Sequence, residues 1–184
     1  MKPEDIRKLN RIKTYIVLQQ GKSKISKLIQ KYSKEYCQNQ EFIPTHLLMF
    51  KFRFGKWWVY ESTHSPVDEY LINGGVRHYE ADIWLELEKD NLDQYRFYEV
   101  DLDYYSMEKY IGQPYGYGDI KQLMLASIRH SNGLQKDYKG LICSEYGALC
   151  CKEVRDFYGE LPAWCITPAH FQNMFNIKGK KVVI

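Results

Sequence analysis

The apolar positions near the start of the chain predict two helices. The first covers residues 3–20, with Pro3 in its first turn and Gly21 at its end. Its apolar residues recur at roughly helical spacing: Ile6, Leu9, Ile12, Ile16 and Leu18. Ser23 suits the cap of the second helix, whose apolar face is formed by Ile25, Leu28, Ile29 and Tyr32. Pro44 then interrupts the helical pattern.

A β-hairpin is predicted directly after Pro44. Its first strand covers residues 45–53, the turn is Phe54-Gly55-Lys56, and the returning strand covers residues 57–62. Both strands are rich in aromatic and aliphatic side chains, which favour a pleated, half-buried surface.

The rest of the chain alternates short helical and short extended patterns. A loop over residues 63–75 contains Pro66 and the pair Gly74-Gly75. The strands predicted beyond it are Val76–Tyr79, Tyr95–Leu102 and, as a tail or edge strand, Lys181–Ile184. Five further helices are predicted. The first is short and capped by Asp82, the second covers Ser106–Ile111 and ends at Gly112, and the third covers residues 119–130. The fourth begins at Cys143 or Ser144 and runs to about Phe157, and the fifth covers Thr167–Phe175. A polar loop over residues 131–140 precedes the cysteine-containing helix. Helices on both sides of a small antiparallel sheet predict an α+β fold.

Length and composition are those of one globular domain. The chain has 184 residues, of which 45% are hydrophobic and 27% charged, so residues 1–184 are expected to share one core. The longest apolar run is a few residues, as in Leu47-Leu48-Met49-Phe50, which excludes a transmembrane segment. The N-terminus has no basic start followed by an apolar stretch, so we expect a cytoplasmic protein. Phage-encoded proteins and proteins released by cell lysis also lack such a segment.

Charge is distributed unevenly along the chain. Residues 1–40 carry ten Lys and Arg against three acids, and residues 80–108 carry ten acids against Lys89 and Arg96. A basic N-terminal helix over residues 1–20 is best interpreted as a solvated surface, although it could also contact nucleic acid, a membrane surface or the acidic stretch of its own chain. No zinc-finger spacing or RNA-binding motif accompanies it, and no glycine-rich phosphate loop is present. No nucleic acid is therefore expected as a partner.

Five cysteines in a chain expected to stay in a reducing compartment should be free thiols. Cys143 differs from the others because it is predicted to start a helix. A nucleophilic cysteine acts as the thiolate, which the unpaired N–H groups of a helix N-terminus favour. Small residues at positions 147 and 148 would let that helix pack closely. The remaining thiols are interpreted as core or surface residues: Cys37, Cys150, Cys151 and Cys165.

A cysteine nucleophile needs a base, usually histidine, and a group that orients the histidine. His46 begins the first hairpin strand, and Glu61 lies near the end of the second. A turn near Gly55 brings these strand ends together, so Glu61 can lie one pairing step from His46 on the same face. His64 is the alternative base. A competing zinc site would use Cys143, Cys150, Cys151 and a histidine, but this spacing lacks the gaps of common zinc motifs.

The order of these short motifs resembles the circularly permuted branch of the NlpC-like papain-fold hydrolases, the YiiX-like group. The motifs are Thr45-His46-Leu47-Leu48-Met49, Val59-Tyr60-Glu61-Ser62, Gly74-Gly75-Val76-Arg77, Pro114-Tyr115-Gly116-Tyr117, Ile142-Cys143-Ser144-Glu145-Tyr146 and Thr167-Pro168. In the permuted branch, the histidine and the acid precede the cysteine helix, whereas ordinary papain-like enzymes have the cysteine first. The resemblance covers roughly residues 20–175 and leaves the basic N-terminal helix outside.

The resemblance implies a permuted papain-like fold and a cysteine hydrolase. Cys143 would be the nucleophile, His46 the base, Glu61 the orienting acid, and Tyr115 a residue beside the oxyanion. Thr45 replaces the usual serine before the histidine. A long segment separates Tyr115 from Cys143.

The implied reaction is cleavage of a peptide or acyl-amide bond through a thioester, with no cofactor and no metal. Two alternatives stay open. One is an acyl-lipid hydrolase or acyltransferase on the same fold, and the other is a catalytically idle binding or structural module, such as a phage or mobile-element protein. Fold alone does not choose between them.

Overall fold

Five strands pair into one antiparallel sheet in the order β4-β3-β2-β1-β5. The computed structural model describes residues 3–34, 37, 41–64, 74–116 and 140–184. The strands are β1 (Thr14–Gln19), β2 (His46–Arg53), β3 (Lys56–Thr63), β4 (Gly75–Glu80) and β5 (Tyr95–Val100). The predictions of the hairpin, the strand at residues 76–79 and the strand beginning at Tyr95 are confirmed.

The prediction of one helix over residues 3–20 is wrong. Only Pro3–Arg7 is helical (α1), and Thr14–Gln19 is the strand between β2 and β5. Residues 14–18 are all buried, because strands pair on both sides and helices cover both faces. A strand buried on both faces has a continuous apolar run rather than alternation, and here the run happened to match a helical spacing.

Seven helices accompany the sheet in the described residues. They are α1, α2 (Lys24–Ser33), α3 (Ala81–Glu88), α4 (Tyr104–Lys109), α5 (Cys143–Cys150), α6 (Lys152–Tyr158) and α7 (Pro168–Ile177). Ser23 caps α2 as predicted, since its hydroxyl accepts a hydrogen bond from the Ser26 N–H. Asp82 lies inside α3 rather than at its cap, and the helix predicted from Cys143 to Phe157 divides at Cys151, whose backbone is extended.

Each face of the sheet has its own hydrophobic core. Side chains on one face pack with α1 and α3: Tyr15, Val17, Leu48, Phe50, Val59, Trp84 and Phe97 among them. Side chains on the other face pack with α4 to α7: Ile16, Leu18, Leu47, Met49, Tyr60, Tyr146, Phe171 and Phe175 among them. The architecture is therefore α+β, with helices on both sides of an antiparallel sheet, as predicted.

The C-terminal tail lies against the edge strand β5. Val182 forms a bridge with Tyr98, and the Val183 N–H donates to the Phe97 carbonyl over 2.9 Å. The helix predicted over 119–130, the loop over 131–139 and Tyr117 lie outside the described residues. None of the helices in the described part of the chain has the length and apolar character needed to cross a membrane.

Candidate active site

The hairpin brings His46 and Glu61 together at one end of the sheet. Leu48 pairs with Glu61, so His46, two residues before Leu48, lies on the same face as Glu61. His46 Nε2 donates to Glu61 Oε2 over 2.8 Å. The Glu61 side chain is 6% exposed and the His46 side chain 20% exposed, so the pair is largely removed from water. This is the contact that the spacing along the hairpin predicted.

Strand β4 holds the second oxygen of Glu61. Arg77 pairs directly with Glu61, and its Nη2 and Nε donate to Glu61 Oε1 over 2.7 and 3.1 Å. The Tyr79 hydroxyl donates to the same oxygen over 2.8 Å. Burial raises the pKa of Glu61, but its contacts with His46 and Arg77 outweigh burial and lower that pKa to about 2. Glu61 is therefore an ionised, fixed carboxylate at neutral pH.

Cys143 contacts the imidazole of His46 as well. Burial lowers the pKa of His46, but the charge and hydrogen bond of Cys143, together with those of Glu61, outweigh burial and raise that pKa to about 10. Glu61 occupies Nε2, so Nδ1 is the ring nitrogen left for the sulfur. The imidazole of His46 thus lies between the Cys143 side chain and the Glu61 carboxylate. Both of these groups stabilise the protonated form of His46.

Close packing of α5 on β2 sets the position of Cys143. A Cβ atom added at Gly147 would lie 2.7 Å from Leu47 Cδ2, so any larger residue would require the Leu47 side chain to move. Leu47 follows His46 in the chain, and Gly147 lies one turn after Cys143. The small residues that the sequence places in this helix therefore bring its N-terminus to the start of β2.

The first turn of α5 presents backbone donors beside Cys143. Ile142 is the N-cap and makes no side-chain cap hydrogen bond, and the first intrahelical bond runs from the Tyr146 N–H to the Ile142 carbonyl. The N–H groups at the start of a helix favour negative charge. Ser144 follows directly, and its fully buried hydroxyl has no hydrogen-bond partner among the described residues.

Tyr115 lies beside the segment that leads into Cys143. It forms a parallel bridge with Leu141, and the Leu141 N–H donates to the Pro114 carbonyl over 2.9 Å. A Cβ atom at Gly140 would lie 2.6 Å from the Tyr115 carbonyl carbon, so the two backbones are in direct contact. The Tyr115 ring is 5.9 Å, centroid to centroid, from the ring of His64.

The four other cysteines have surroundings that favour the neutral thiol. Burial raises the pKa of each of them, to about 11 for Cys37 and Cys165, and upward for Cys150 and Cys151. All five cysteines are free. These environments match the interpretation of the four as packing residues.

The remaining described histidines have other surroundings. His64, the alternative base, is exposed just after β3 and packs against Tyr115. His78 packs between Trp58 and Tyr60. His170 belongs to the capping box of α7, and burial lowers its pKa to about 4.

No group of three or more His, Cys, Asp or Glu side chains in the described ranges is arranged to hold a metal ion. The zinc alternative built on Cys143, Cys150 and Cys151 therefore has no ligand set in that part of the chain.

Sequence reasoning did not assign roles to Arg77 and Tyr79. Both lie on β4 and contact the carboxylate. The available signal was alternation, because residues 77 and 79 place polar groups on one face of a short strand next to Glu61.

Comparison with known proteins gives no family model that matches the sequence and no curated protein with significant similarity to it.

Proposed function

We propose that this protein is a cysteine hydrolase that cleaves an amide bond in a peptide or peptidoglycan-type substrate, with Cys143, His46 and Glu61 as its catalytic triad. The observation that carries the proposal is the single imidazole of His46, which contacts Cys143 on one side and donates to Glu61 over 2.8 Å on the other. Triads are recognised by such geometry and roles rather than by the order of residues in the chain.

In the proposed reaction, the Cys143 thiolate attacks the substrate carbonyl carbon and forms a C–S bond. The C–N bond then breaks, and the His46 imidazolium donates its proton to the leaving amine. Water attacks the resulting thioester while His46 accepts a proton from it, which releases the carboxylic acid and restores the thiolate. No step requires a cofactor or a metal ion.

Glu61 orients His46 and stabilises its cationic form rather than carrying the proton. Its pKa, held at about 2 by His46 and Arg77 against the effect of burial, is too low for it to take a proton at neutral pH. The backbone N–H of Cys143 and the side chain of Tyr115 are the proposed oxyanion donors. Hydrogen-bond donors to the oxyanion usually make a large contribution to transition-state stabilisation in acyl transfer.

The order of elements supports assignment to a circularly permuted papain-like fold. The strand with His46 and the strand with Glu61 come first, and the helix that begins at Cys143 follows them. A sheet packed against that helix agrees with the NlpC-like resemblance, in which amide bonds are the usual substrates. Acyl transfer to a nucleophile other than water would use the same thioester.

The test is formation of an acyl-enzyme. The protein is incubated with p-nitrophenyl acetate and with a panel of fluorogenic peptide amides, and adducts are located by peptide mass mapping. We expect a transient acyl group on Cys143 and product release, both absent in Cys143→Ser and both retained in the matched control Cys150→Ser. Acylation of other residues at comparable rates, or unchanged turnover in Cys143→Ser, would leave a binding module as the function.

A further inference from the structure

A cavity of about 440 Å³ lies at the C-terminal end of β1, the strand that pairs with β2. Its walls come from the segment after β1, from α2 and from the start of β5, and its lining includes three cations: Lys22, Lys27 and Arg96. Gln20, Gln30 and Gln94 supply amide groups. This volume falls within the range of small-molecule binding sites, which is roughly 300–1,000 Å³.

Backbone contacts connect this cavity with His46. Gln19 pairs with His46, and the Thr45 N–H donates to the Gln19 carbonyl over 2.8 Å. The N–H of Gly21, which lines the cavity, donates to Thr45 Oγ1 over 3.0 Å. The cavity wall at Gly21 is therefore hydrogen-bonded to the residue that precedes His46, and the cavity is connected to the start of β2.

Arg96 and Lys22 make contacts with neutral groups that leave their charges without an acidic partner in the described residues. Arg96 Nη1 donates to the carbonyls of Asp93 and Tyr95, both over 2.9 Å, and the guanidinium stacks over Phe42 at 5.0 Å. Lys22 Nζ lies 3.1 Å from the side-chain amide of Gln94. No salt bridge within the described residues joins Lys22, Lys27 or Arg96 to an acid.

Two acids, Glu41 and Asp93, also line the cavity, and both are exposed. The three cations outnumber them. Arg96 is partly buried and already oriented, so it loses little freedom when it binds a ligand. Fixed guanidinium donors, amide donors and two ammonium groups together fit a carboxylate or a phosphate better than a cation.

We propose that this cavity binds an anionic group, a carboxylate or a phosphate ester, on the substrate that Cys143 attacks. The proposal rests on the proposed function and specifies its substrate class, which is an acyl compound carrying a negative charge near the scissile bond. Lys22, Lys27 and Arg96 would hold that charge, and the cavity would thereby select substrates.

The experiment measures how anions protect Cys143. The full chain is alkylated with iodoacetamide, and the rate at Cys143 is followed by mass spectrometry in the presence of phosphate, glutarate or glutaramide at matched ionic strength. Glutaramide has nearly the shape of glutarate but no charge. Thermal unfolding with the same three compounds reports binding independently of the thiol.

We expect phosphate or glutarate to raise the unfolding temperature and to slow alkylation of Cys143 several-fold, and glutaramide to do neither. The double substitution Lys22→Gln and Lys27→Gln should abolish both effects. The control, Lys24→Gln with Lys31→Gln, changes two lysines that belong to α2, as Lys27 does, but do not line the cavity, and it should behave like wild type.

Three results would overturn the proposal: anions that leave the alkylation rate unchanged, equal protection by glutaramide, or full protection in the double variant. Failure of the proposed function gives a different pattern. In that case Cys143 shows no preferential alkylation even without anions, whereas the unfolding temperature still reports whether the cavity binds them.

Discussion

Replacing Glu61 by glutamine removes the negative charge from the centre of the site and keeps the size of the side chain. Its carboxylate is buried and accepts hydrogen bonds from His46, Arg77 and Tyr79. Burial raises the pKa of Glu61, but His46 and Arg77 outweigh it and lower the pKa from 4.5 to about 2. That difference corresponds to roughly 3 kcal/mol of stability at neutral pH.

The pH window follows from the direction of this shift. Because the folded-state pKa of Glu61 lies below the unfolded value of 4.5, its contribution is fully present above about pH 4.5 and is lost as the pH falls through about 2. By pH 3, about 2 kcal/mol of it should be gone. Glu61→Gln lacks the contribution at every pH and also removes the negative charge that the buried Arg77 contacts.

We therefore expect Glu61→Gln to be less stable than wild type by about 3 kcal/mol or more at pH 5.5, with a difference about 2 kcal/mol smaller at pH 3. Urea unfolding followed by circular dichroism measures both values. Glu99→Gln is the matched control, because the ion pair of Glu99 with Lys13 is exposed to solvent and should contribute little to stability at either pH. A deficit of equal size at both pH values, or no deficit, would refute the reasoning.

Three further substitutions test individual contacts of the site by the same unfolding assay. Gly140→Ala places a Cβ atom 2.6 Å from the Tyr115 carbonyl carbon, so it should lower stability by about 1–3 kcal/mol, whereas unchanged stability would contradict the close backbone contact. Tyr79→Phe removes a donor to the Glu61 carboxylate and should cost about 1.5–3 kcal/mol, and no loss would mean that this hydrogen bond is replaced. Ser144→Ala removes a buried hydroxyl without a partner in the described residues, so its stability should stay within about 0.5 kcal/mol of wild type or rise; a loss above 1 kcal/mol would reveal a hidden partner.

The contact between His46 and Glu61 could be predicted because a short turn sets the register between strands β2 and β3. Phe54 and Gly55 form the two-residue connection between paired Arg53 and Lys56, and both have positive φ, at 51° and 78°. Once the turn is fixed, the pairing along the hairpin is fixed, and alternation places the histidine and the acid on one face. Information local to the hairpin was sufficient.

Arg77 and Tyr79 could not be predicted in the same way. Their contact with Glu61 depends on the register between β3 and β4, which are joined by a connection of about a dozen residues rather than by a tight turn. A long connection does not set register, so the sequence left open which side chain of β4 would face the carboxylate.

Strand β1 was missed for a different reason. Its identity as a strand comes from pairing with β2 and β5, which are distant in the sequence. The spacing of apolar residues over 3–20 is compatible with a helix as well as with a buried strand. Pairing with β2 and β5 in the tertiary structure is what makes residues 14–19 a strand. The basic N-terminal helix predicted over residues 1–20 is therefore much shorter in the structure. Helix α1 ends at Arg7, and the residues after it lead into strand β1.

The assignment of Cys143 as nucleophile and His46 as base is tested most directly by the rate at which each cysteine reacts with iodoacetamide at pH 7. Peptide mass mapping measures these rates in wild type and in His46→Ala. We predict that Cys143 reacts at least about tenfold faster than Cys150, because Cys143 begins a helix and contacts His46, whereas burial raises the pKa of Cys150. We also predict that His46→Ala loses this preference. Equal rates at the two cysteines in wild type, or an unchanged preference in His46→Ala, would contradict the catalytic assignment.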